Sequence, residues 1–392
     1  MPTVLEAATD LTAVFSNTVY FYPFAGEIQL QTEPLAQYKV QSSFIVANLL
    51  IVVATNGITA SSTVNTRKNA ANGNLSVSIG AGLTGTFEDI TDFDSLAPGD
   101  AINYQFTVGA TGTSITFAVT SCTLDNPSAT EILMAVGVGV GAAATRYTPL
   151  NSSGTPASTE IYSTVRSAFS WAGLDIYLFN NQITAASTVA SRKNGANGAQ
   201  SVSIPASTTG DFVDSTDVDL LNAGNQIDVL IMGGATGGQL NSSRIASQLS
   251  NTGSLFLLTI GTPSISSGSS PSYFASTGGG FGSSATEASV QLKVRKVNLT
   301  VRDYNVDVVS NTLNASSTYA TRKNGSTGPI QVSVPQSTTG VFEDVGDIDA
   351  YLIGDLIDNQ FTSAASSGAI KCAATLQAQQ TPVPTHSLMG VG

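Results

Sequence analysis

Apolar and polar residues alternate with a period of two in a segment that occurs three times along the chain. Alternation of this kind places every second side chain on the same face of a β-strand, so each segment predicts a strand with one face on a core. The apolar positions of the three segments are Leu49, Ile51 and Val53, then Leu174, Ile176 and Leu178, then Tyr304, Val306 and Val308.

Each of these strands precedes a copy of one longer sequence. The copies contain RKN, a V-S-I or V-S-V strand and T-G-x-F, and they start at Thr63, Thr188 and Thr318. The starts are spaced by 125 and 130 residues, which is the size of a small domain and too long for a solenoid repeat. The chain therefore predicts three related domains in tandem.

Within a copy, turn residues separate the short apolar runs. The RKN strand ends at Asn69-Ala70, Asn194-Gly195 or Asn324-Gly325, and Asn-Gly between β-rich runs is a strong hairpin signal. About eight strands fall in roughly 115 residues, with turns every 8–12 residues, which indicates a β-sandwich and favours a jelly roll over an immunoglobulin-like arrangement. The predicted fold is all-β, with three tandem jelly-roll-like β-sandwich domains.

The repeats set the predicted boundaries at 27–150, 159–263 and 285–392, with Ser/Gly-rich linkers at 151–158 and 264–284. Residues 1–26 match nothing in the other copies and are predicted to form a separate arm. The arm has an aromatic cluster and few charges, so it is the expected docking segment for a partner. Its aromatic residues are Tyr20, Phe21, Tyr22 and Phe24.

Composition excludes several classes of function. The net charge is −12, and only 15 Lys and Arg are spread over 392 residues, whereas nucleic-acid binding needs clustered cations. The longest apolar stretches, 44–54 and 133–144, are too short to span a bilayer. The first basic residue is Lys39, so no secretory signal peptide is predicted. We expect neither nucleic acid nor membrane as a partner.

Few residues could carry chemistry. The single histidine is His386, and the two cysteines, Cys122 and Cys372, lie in different copies, so neither a catalytic triad nor a zinc site is predicted. Both cysteines are expected to be small buried residues. Gly278–Gly280 lacks the Lys-Ser/Thr of a phosphate loop. The sequence therefore predicts a protein that is not an enzyme.

The one repeated charged cluster is acidic and follows T-G-x-F. Carboxylates in this spacing could coordinate calcium, although the pattern is not that of an EF-hand. Short Asp side chains also cap turns, which is the favoured interpretation. The candidate residues are Asp89, Asp92 and Asp94, then Asp214, Asp217 and Asp219, then Asp344, Asp347 and Asp349.

Three further residue types have predicted structural roles. The Phe of T-G-x-F (Phe87, Phe212, Phe342) is expected to anchor the core. One member of each Arg-Lys pair, such as Arg192-Lys193, is expected to pair with the acidic cluster of its own copy. The only tryptophan, Trp171, adjoins a core strand and is expected to be buried.

The motif RKNG…VSIPASTTG-x-F-x-D, clearest at Arg192–Ile227, resembles a repeat of structural proteins from tailed bacteriophages. The likeness covers about 60 residues in each copy. It implies a non-enzymatic virion protein of the capsid-decoration, head-fibre or tail-appendage type. Such a protein would be assembled in the host cytoplasm and exposed on the particle, with other virion proteins or copies of itself as partners in a symmetric assembly. The alternatives are a receptor- or glycan-binding adhesin module and a subunit of an extracellular bacterial filament.

Overall fold

A computed structural model describes residues 3–8, 13–24, 30–126, 131–136, 138–149, 152–153, 156–251, 255–260, 264–276, 283–295 and 297–381. In this part of the chain the strands form six sheets, which pair into three sandwiches. The prediction of an all-β chain with tandem sandwiches is confirmed. None of the described helices is long and apolar enough to cross a membrane.

Sandwich 1 contains the first ten strands. One sheet has the order β1-β10-β5-β8 with β2 beside β10, and the other has the order β3-β9-β6-β7 with β4 beside β9. The bounds are β1 Thr3–Ala8, β2 Ala13–Phe15, β3 Val19–Tyr22, α1 Glu33–Ala36, β4 Tyr38–Lys39, β5 Phe44–Ile58, β6 Ser62–Lys68, β7 Ala71–Ile79, β8 Gly85–Leu96, β9 Ala101–Thr107 and β10 Gly112–Asp125.

Sandwich 2 repeats this plan with the orders β11-β21-β16-β19 and β13-β20-β17-β18. Three short strands join it, β12 beside β21, β15 beside β20 and β14 parallel to β11. The bounds are β11 Glu131–Val136, β12 Gly139–Gly141, β13 Thr145–Thr148, β14 Ser152–Ser153, β15 Ser163–Thr164, β16 Phe169–Ile183, β17 Ser187–Lys193, β18 Ala196–Ile204, β19 Gly210–Leu221, β20 Gln226–Met232 and β21 Gly237–Ser250.

Sandwich 3 has the orders β22-β31-β26-β29 and β24-β30-β27-β28, with β23 beside β31 and β25 beside β30. It also contains two 3-10 helices, Ser267–Ser269 and Glu287–Ser289. The bounds are β22 Leu255–Ile260, β23 Ser264–Ser266, β24 Ser272–Phe274, β25 Leu292–Lys293, β26 Asn298–Asn311, β27 Ser317–Lys323, β28 Ser326–Val334, β29 Gly340–Tyr351, β30 Leu356–Ser363 and β31 Ala369–Thr381.

All three sandwiches share one topology. When the eight principal strands of each are numbered along the chain, one sheet has the order 1-8-3-6 and the other 2-7-4-5. Two antiparallel sheets with this interleaved order are a jelly roll, in which two Greek keys are combined. The 1-8-3-6 sheet and the 2-7-4-5 sheet carry these names in every sandwich.

The strand pairing corrects the predicted boundaries. The sandwiches comprise residues 3–125, 131–250 and 255–381, because strand 1 of each pairs with strand 8 at its far end. The predicted linker 264–284 contains β23, a 3-10 helix and β24, whose strands pair within sandwich 3. The first strands of the three sandwiches have no motif in common, so their membership could not be recognised from the sequence.

The predicted N-terminal arm is likewise part of sandwich 1. Residues 3–8 pair with 120–125, and β3 pairs with β9. Tyr22 lies edge-on to Phe106 with ring centroids 4.3 Å apart, and Phe24 stacks on Tyr104 at 5.2 Å. The prediction of a free docking arm is therefore wrong, because these aromatic side chains fill the core.

Several core predictions are confirmed. Trp171 is fully buried, and its indole N–H donates to Ser247 Oγ over 2.8 Å. Cys122 and Cys372 are buried and free, and each lies about 3 Å from a tyrosine hydroxyl. The hairpin asparagines Asn69, Asn194 and Asn324 have positive φ, as a tight turn requires. His386 and Gly278–Gly280 lie outside the described residues.

Candidate functional site

The first Asp of each acidic cluster holds a turn and the edge of the opposite sheet. In sandwich 2, Asp214 lies on strand 6 and accepts hydrogen bonds from the amides of Thr216 and Asp217, at 3.2 and 3.1 Å. Its other oxygen accepts the amide of Ser201 on strand 5, the edge strand of the 2-7-4-5 sheet, at 2.9 Å. Asp89 and Asp344 make the same contacts in sandwiches 1 and 3.

The third Asp of each cluster also joins the two sheets, from a more buried position. Asp219 accepts the hydroxyl of Ser191 at 2.6 Å, the amide of Ala199 at 2.7 Å and the side-chain amide of Gln200 at 3.2 Å. Gly198 faces this carboxylate, and a Cβ there would lie 2.6 Å from it. This close approach gives a physical reason for the glycine that recurs as Gly73, Gly198 and Gly328.

The middle residues of the clusters, Asp92, Asp217 and Asp347, are exposed. The first and third Asp of each cluster direct their oxygens toward N–H and O–H donors, as described above for Asp214 and Asp219. Among the described residues, no group of three or more His, Cys, Asp or Glu is arranged to hold a metal ion. Calcium binding by these nine aspartates stays a hypothesis that unfolding with and without the ion can test.

Hydrogen bonding also sets the ionisation of the first Asp. Partial burial would raise the pKa of Asp89 and of Asp214, but the hydrogen bonds that each carboxylate accepts, chiefly from three backbone amides, outweigh burial and lower the pKa. Both carboxylates are therefore charged at neutral pH. They act as acceptors that satisfy backbone amides at the open edge of a sandwich.

The Lys of each Arg-Lys pair contacts the acidic loop of its own copy, as predicted: Lys68 pairs with Asp100 and Lys323 with Asp355, both over 3.1 Å, at the end of that loop. Lys193 donates to the carbonyl of Leu220 on the acidic strand, so the Lys does contact that strand. The Arg instead pairs with a glutamate that lies 32 to 35 residues upstream. The pairs are Arg67–Glu33, Arg192–Glu160 and Arg322–Glu287. The sequence signal for them is a single Glu at about the same distance before each RKN.

The three T-G-x-F phenylalanines pack against the cores but are only half buried. Phe87 lies on β8, which is an edge strand, so one side of its ring faces away from the sandwich. The expectation of core contact is confirmed, whereas full burial is not found.

The sandwiches contact one another through one segment of each, which we call the lead-in segment: residues 33–42, 160–167 and 287–295. The lead-in segment of sandwich 1 lies on the 1-8-3-6 sheet of sandwich 2. There Gln248 donates to the Tyr38 hydroxyl over 2.8 Å, and Ser42 donates to Gln248 over 3.3 Å.

The lead-in segment of sandwich 2 lies on sandwich 3 in the same way. Ser167 contacts Gln377, as Ser42 contacts Gln248 at the previous junction. The amide of Tyr162 donates to Asp307 over 3.1 Å, and Arg166 forms an ion pair with Glu343.

The lead-in segment of sandwich 3 returns to sandwich 1. Arg295 and Lys293 both pair with Glu88 on β8, and the Lys293–Glu88 distance is 3.3 Å. These ion pairs lower the pKa of Glu88. Glu88 and Glu343 hold the same position on strand 6 of their sandwiches, so this junction uses the same surfaces as the previous one.

The contacts therefore run from sandwich 1 to 2, from 2 to 3 and from 3 back to 1. Head-to-tail contacts that use equivalent surfaces form a closed ring when the rotation between units closes, and an open filament when it does not. Here they close after three units. The chain forms a pseudo-threefold ring of jelly rolls.

The junctions differ in chemistry. Between sandwiches 3 and 1 lies a cavity of about 580 Å³, lined by Leu50, Val52, Glu88 and Lys293 among others. Between sandwiches 1 and 2 the buried Arg244 pairs with Asp175 at 3.0 Å and with Asp211 at 2.7 Å, and its guanidinium lies over the Tyr177 ring. All four residues belong to sandwich 2, and the pocket lined by Arg244, Asp211 and Tyr177 is also lined by Pro34 and Lys39 of sandwich 1.

The chain matches no protein-family model, and no curated protein matches it. Structures with a weak similarity include Sulfolobus Turreted Icosahedral Virus, at 13% identity over 94% of this chain and 90% of the other, with a TM-score of 0.20. Infectious bursal disease virus Gx strain is 8% identical over 98% and 82%, with a TM-score of 0.20. The insecticidal delta-endotoxin Cry8Ea1 of Bacillus thuringiensis is 8% identical over 95% and 61%, with a TM-score of 0.19. At these TM-scores none of the likenesses supports a conclusion about function.

Proposed function

We propose that this chain is a non-enzymatic structural component of a bacteriophage particle, built as a covalent trimer of jelly rolls. The observation that carries the proposal is the closed head-to-tail ring of three sandwiches. Jelly rolls are a common building unit of viral capsids, and the phage-like repeat motif gives the same indication.

A ring of this kind suits a threefold position in a shell or appendage. Each sandwich has the same outer strands, so a symmetric partner can contact all three at once. Tethering three weak contacts raises the effective concentration of each and makes the attachment stable. A surface decoration, fibre or other assembly component would use these properties without any catalytic site.

The ring is tested by cutting the chain between its sandwiches. Protease recognition sites would be inserted between Asn126 and Glu131 and between Asn251 and Leu255. We expect the three fragments to co-elute after cleavage, because the junction contacts do not depend on the connections. Separation into single sandwiches at physiological salt would remove the observation on which the proposed function rests. An uncleaved sample of the same variant is the control.

The role in a virion is tested by quantitative mass spectrometry of purified particles. We expect a fixed copy number per particle that matches a set of threefold positions, together with labelling by antibodies on the particle surface. Absence from the particles would refute the proposal.

The alternative functions give different results. An adhesin module would bind glycans or host cells as purified protein, and a filament subunit would occur outside infected cells. Among the described residues the only tryptophan is buried, so the aromatic platform typical of a sugar site is not provided by Trp171.

A further inference from the structure

A buried carboxylate lies at one register position of strand 7 in two of the three sandwiches. Asp228 pairs with Arg192 across the sheet, Asp358 pairs with Arg322, and sandwich 1 has Asn103 beside Arg67. Asp228 is 0% exposed, and neither of its oxygens accepts a hydrogen bond from a described residue. An ionised carboxylate in such a place is costly unless it is paired.

The charged groups around Asp228 do not supply a free partner. Arg192 directs its donors to Glu160, Asn197 and the Gly195 carbonyl. Glu160 itself adds a second negative charge, and the Tyr162 hydroxyl donates to Glu160. Asp307 of sandwich 3 adds a third carboxylate across the junction, where it accepts the Tyr162 amide.

We propose that the junction between sandwiches 2 and 3 is a pH-sensitive contact, kept closed by a proton on Asp228 and loosened when Asp228 releases that proton to solvent. With Asp228 neutral, Arg192 balances Glu160. With Asp228 ionised, its charge adds to those of Glu160 and Asp307, and their repulsion acts across the surface that Tyr162 and Asp307 join.

The direction of the pH effect follows from the burial. Desolvation, then the charge of Glu160, raises the pKa of Asp228 to about 8, and Arg192 opposes this only in part. The closed state therefore holds a proton that the unfolded chain loses above about pH 4. The stability of the closed junction is highest at acidic pH, falls as pH rises toward 8 and is constant above it.

The other junctions provide internal comparisons. Sandwich 3 has Asp358 with Glu287 and Gln291 beside it, and burial raises the pKa of Asp358 to about 8. The position of Asp307 is taken there by Val52 of sandwich 1, so one carboxylate is missing. At the junction of sandwiches 1 and 2, sandwich 1 has Asn103 at the position of Asp228, so the buried carboxylate itself is missing. The junction of sandwiches 2 and 3 should loosen first.

The test uses the full chain and the hydrogen exchange of the Tyr162 amide, corrected for the intrinsic exchange rate at each pH. In the wild type we expect the opening constant to rise by up to about tenfold per pH unit between pH 6 and 8 and then to level off. Asp228→Asn should reduce this rise, and the pH dependence that remains belongs to Asp307, whose pKa burial also raises. The control Asn103→Asp adds a carboxyl at the matching position of sandwich 1 and should leave the Tyr162 profile unchanged.

Protection of Tyr162 that is constant from pH 6 to 9 in the wild type would overturn the proposal. So would an unchanged pH profile in Asp228→Asn. If that variant does not fold, infrared spectroscopy of Asp358→Asn provides a second test, because a neutral carboxylic acid has a carbonyl band that a carboxylate lacks and this variant removes the other carboxyl with a pKa of about 8. Loss of such a band between pH 6 and 9 is expected, and its absence at pH 6 would refute the protonated state.

Discussion

Removal of Asp219 should destabilise sandwich 2 more than removal of Asp214 from the same strand. Both changes to Ala delete one carboxylate, so they alter the net charge equally. The difference lies in the donors that lose their acceptor. Ser191 and Gln200 beside Asp219 are both 0% exposed, whereas Ser201, Thr216 and Asp217 beside Asp214 are exposed.

The magnitude follows from the cost of leaving donors unpaired. A buried donor without an acceptor costs about 1–3 kcal/mol, and Asp219 accepts three hydrogen bonds. Because Gln200 keeps a bond to the Trp171 carbonyl, we expect about 3 kcal/mol for Asp219→Ala. The donors around Asp214 can bind water instead, so Asp214→Ala should cost about 1 kcal/mol, as for loss of a capping residue.

The assay is urea unfolding followed by tryptophan fluorescence. Trp171 is the only tryptophan of the chain and is buried in sandwich 2, so its signal reports that sandwich. Equal losses of stability in the two variants would refute the reasoning from burial. Each experiment is repeated with calcium and with a chelator. A calcium site would make the chelator destabilise the wild type and not the variants, whereas the hydrogen-bond role predicts no effect of calcium on any of them.

Three further predictions concern the same sandwich or its neighbour. Phe212→Ala should cost about 1–2 kcal/mol of unfolding free energy by the same assay, because the ring is only half buried. A fully buried Phe would cost roughly 3–5 kcal/mol. A measured cost above about 3 kcal/mol would therefore mean that Phe212 is a core residue. Deletion of residues 1–24 should unfold sandwich 1, since strands 1 and 2 are lost, while the Trp171 signal persists; a fully folded truncated protein by amide NMR would contradict this. Because the pKa of Asp214 is lowered in the fold, its carboxylate stabilises the fold above the unfolded pKa of about 3.8. The stability difference between wild type and Asp214→Asn should therefore shrink as pH falls through that value and below. A difference that grows in acid would show that the pKa is raised instead.

The sequence by itself determined the features that depend on near neighbours in the chain. Alternation at Leu174, Ile176 and Leu178 identified a strand with one buried face, and Asn194-Gly195 identified the hairpin after the RKN strand. These signals are local, because the period of a strand and the backbone angles of a tight turn depend on a few consecutive residues. Their threefold recurrence gave the number of sandwiches, and their spacing indicated the jelly roll.

Only the tertiary structure decided which distant segments belong together. Strand 1 pairs with strand 8 more than a hundred residues later, and nothing in residues 3–8 specifies that partner, because many strands could supply the same ladder of hydrogen bonds. The same holds for Arg192, whose partner Glu160 lies 32 residues upstream and becomes adjacent only when the sheets close. The ring depends on surfaces of three separate sandwiches. A residue such as Asp307 therefore acquires its role only where Tyr162 of the neighbouring sandwich meets it.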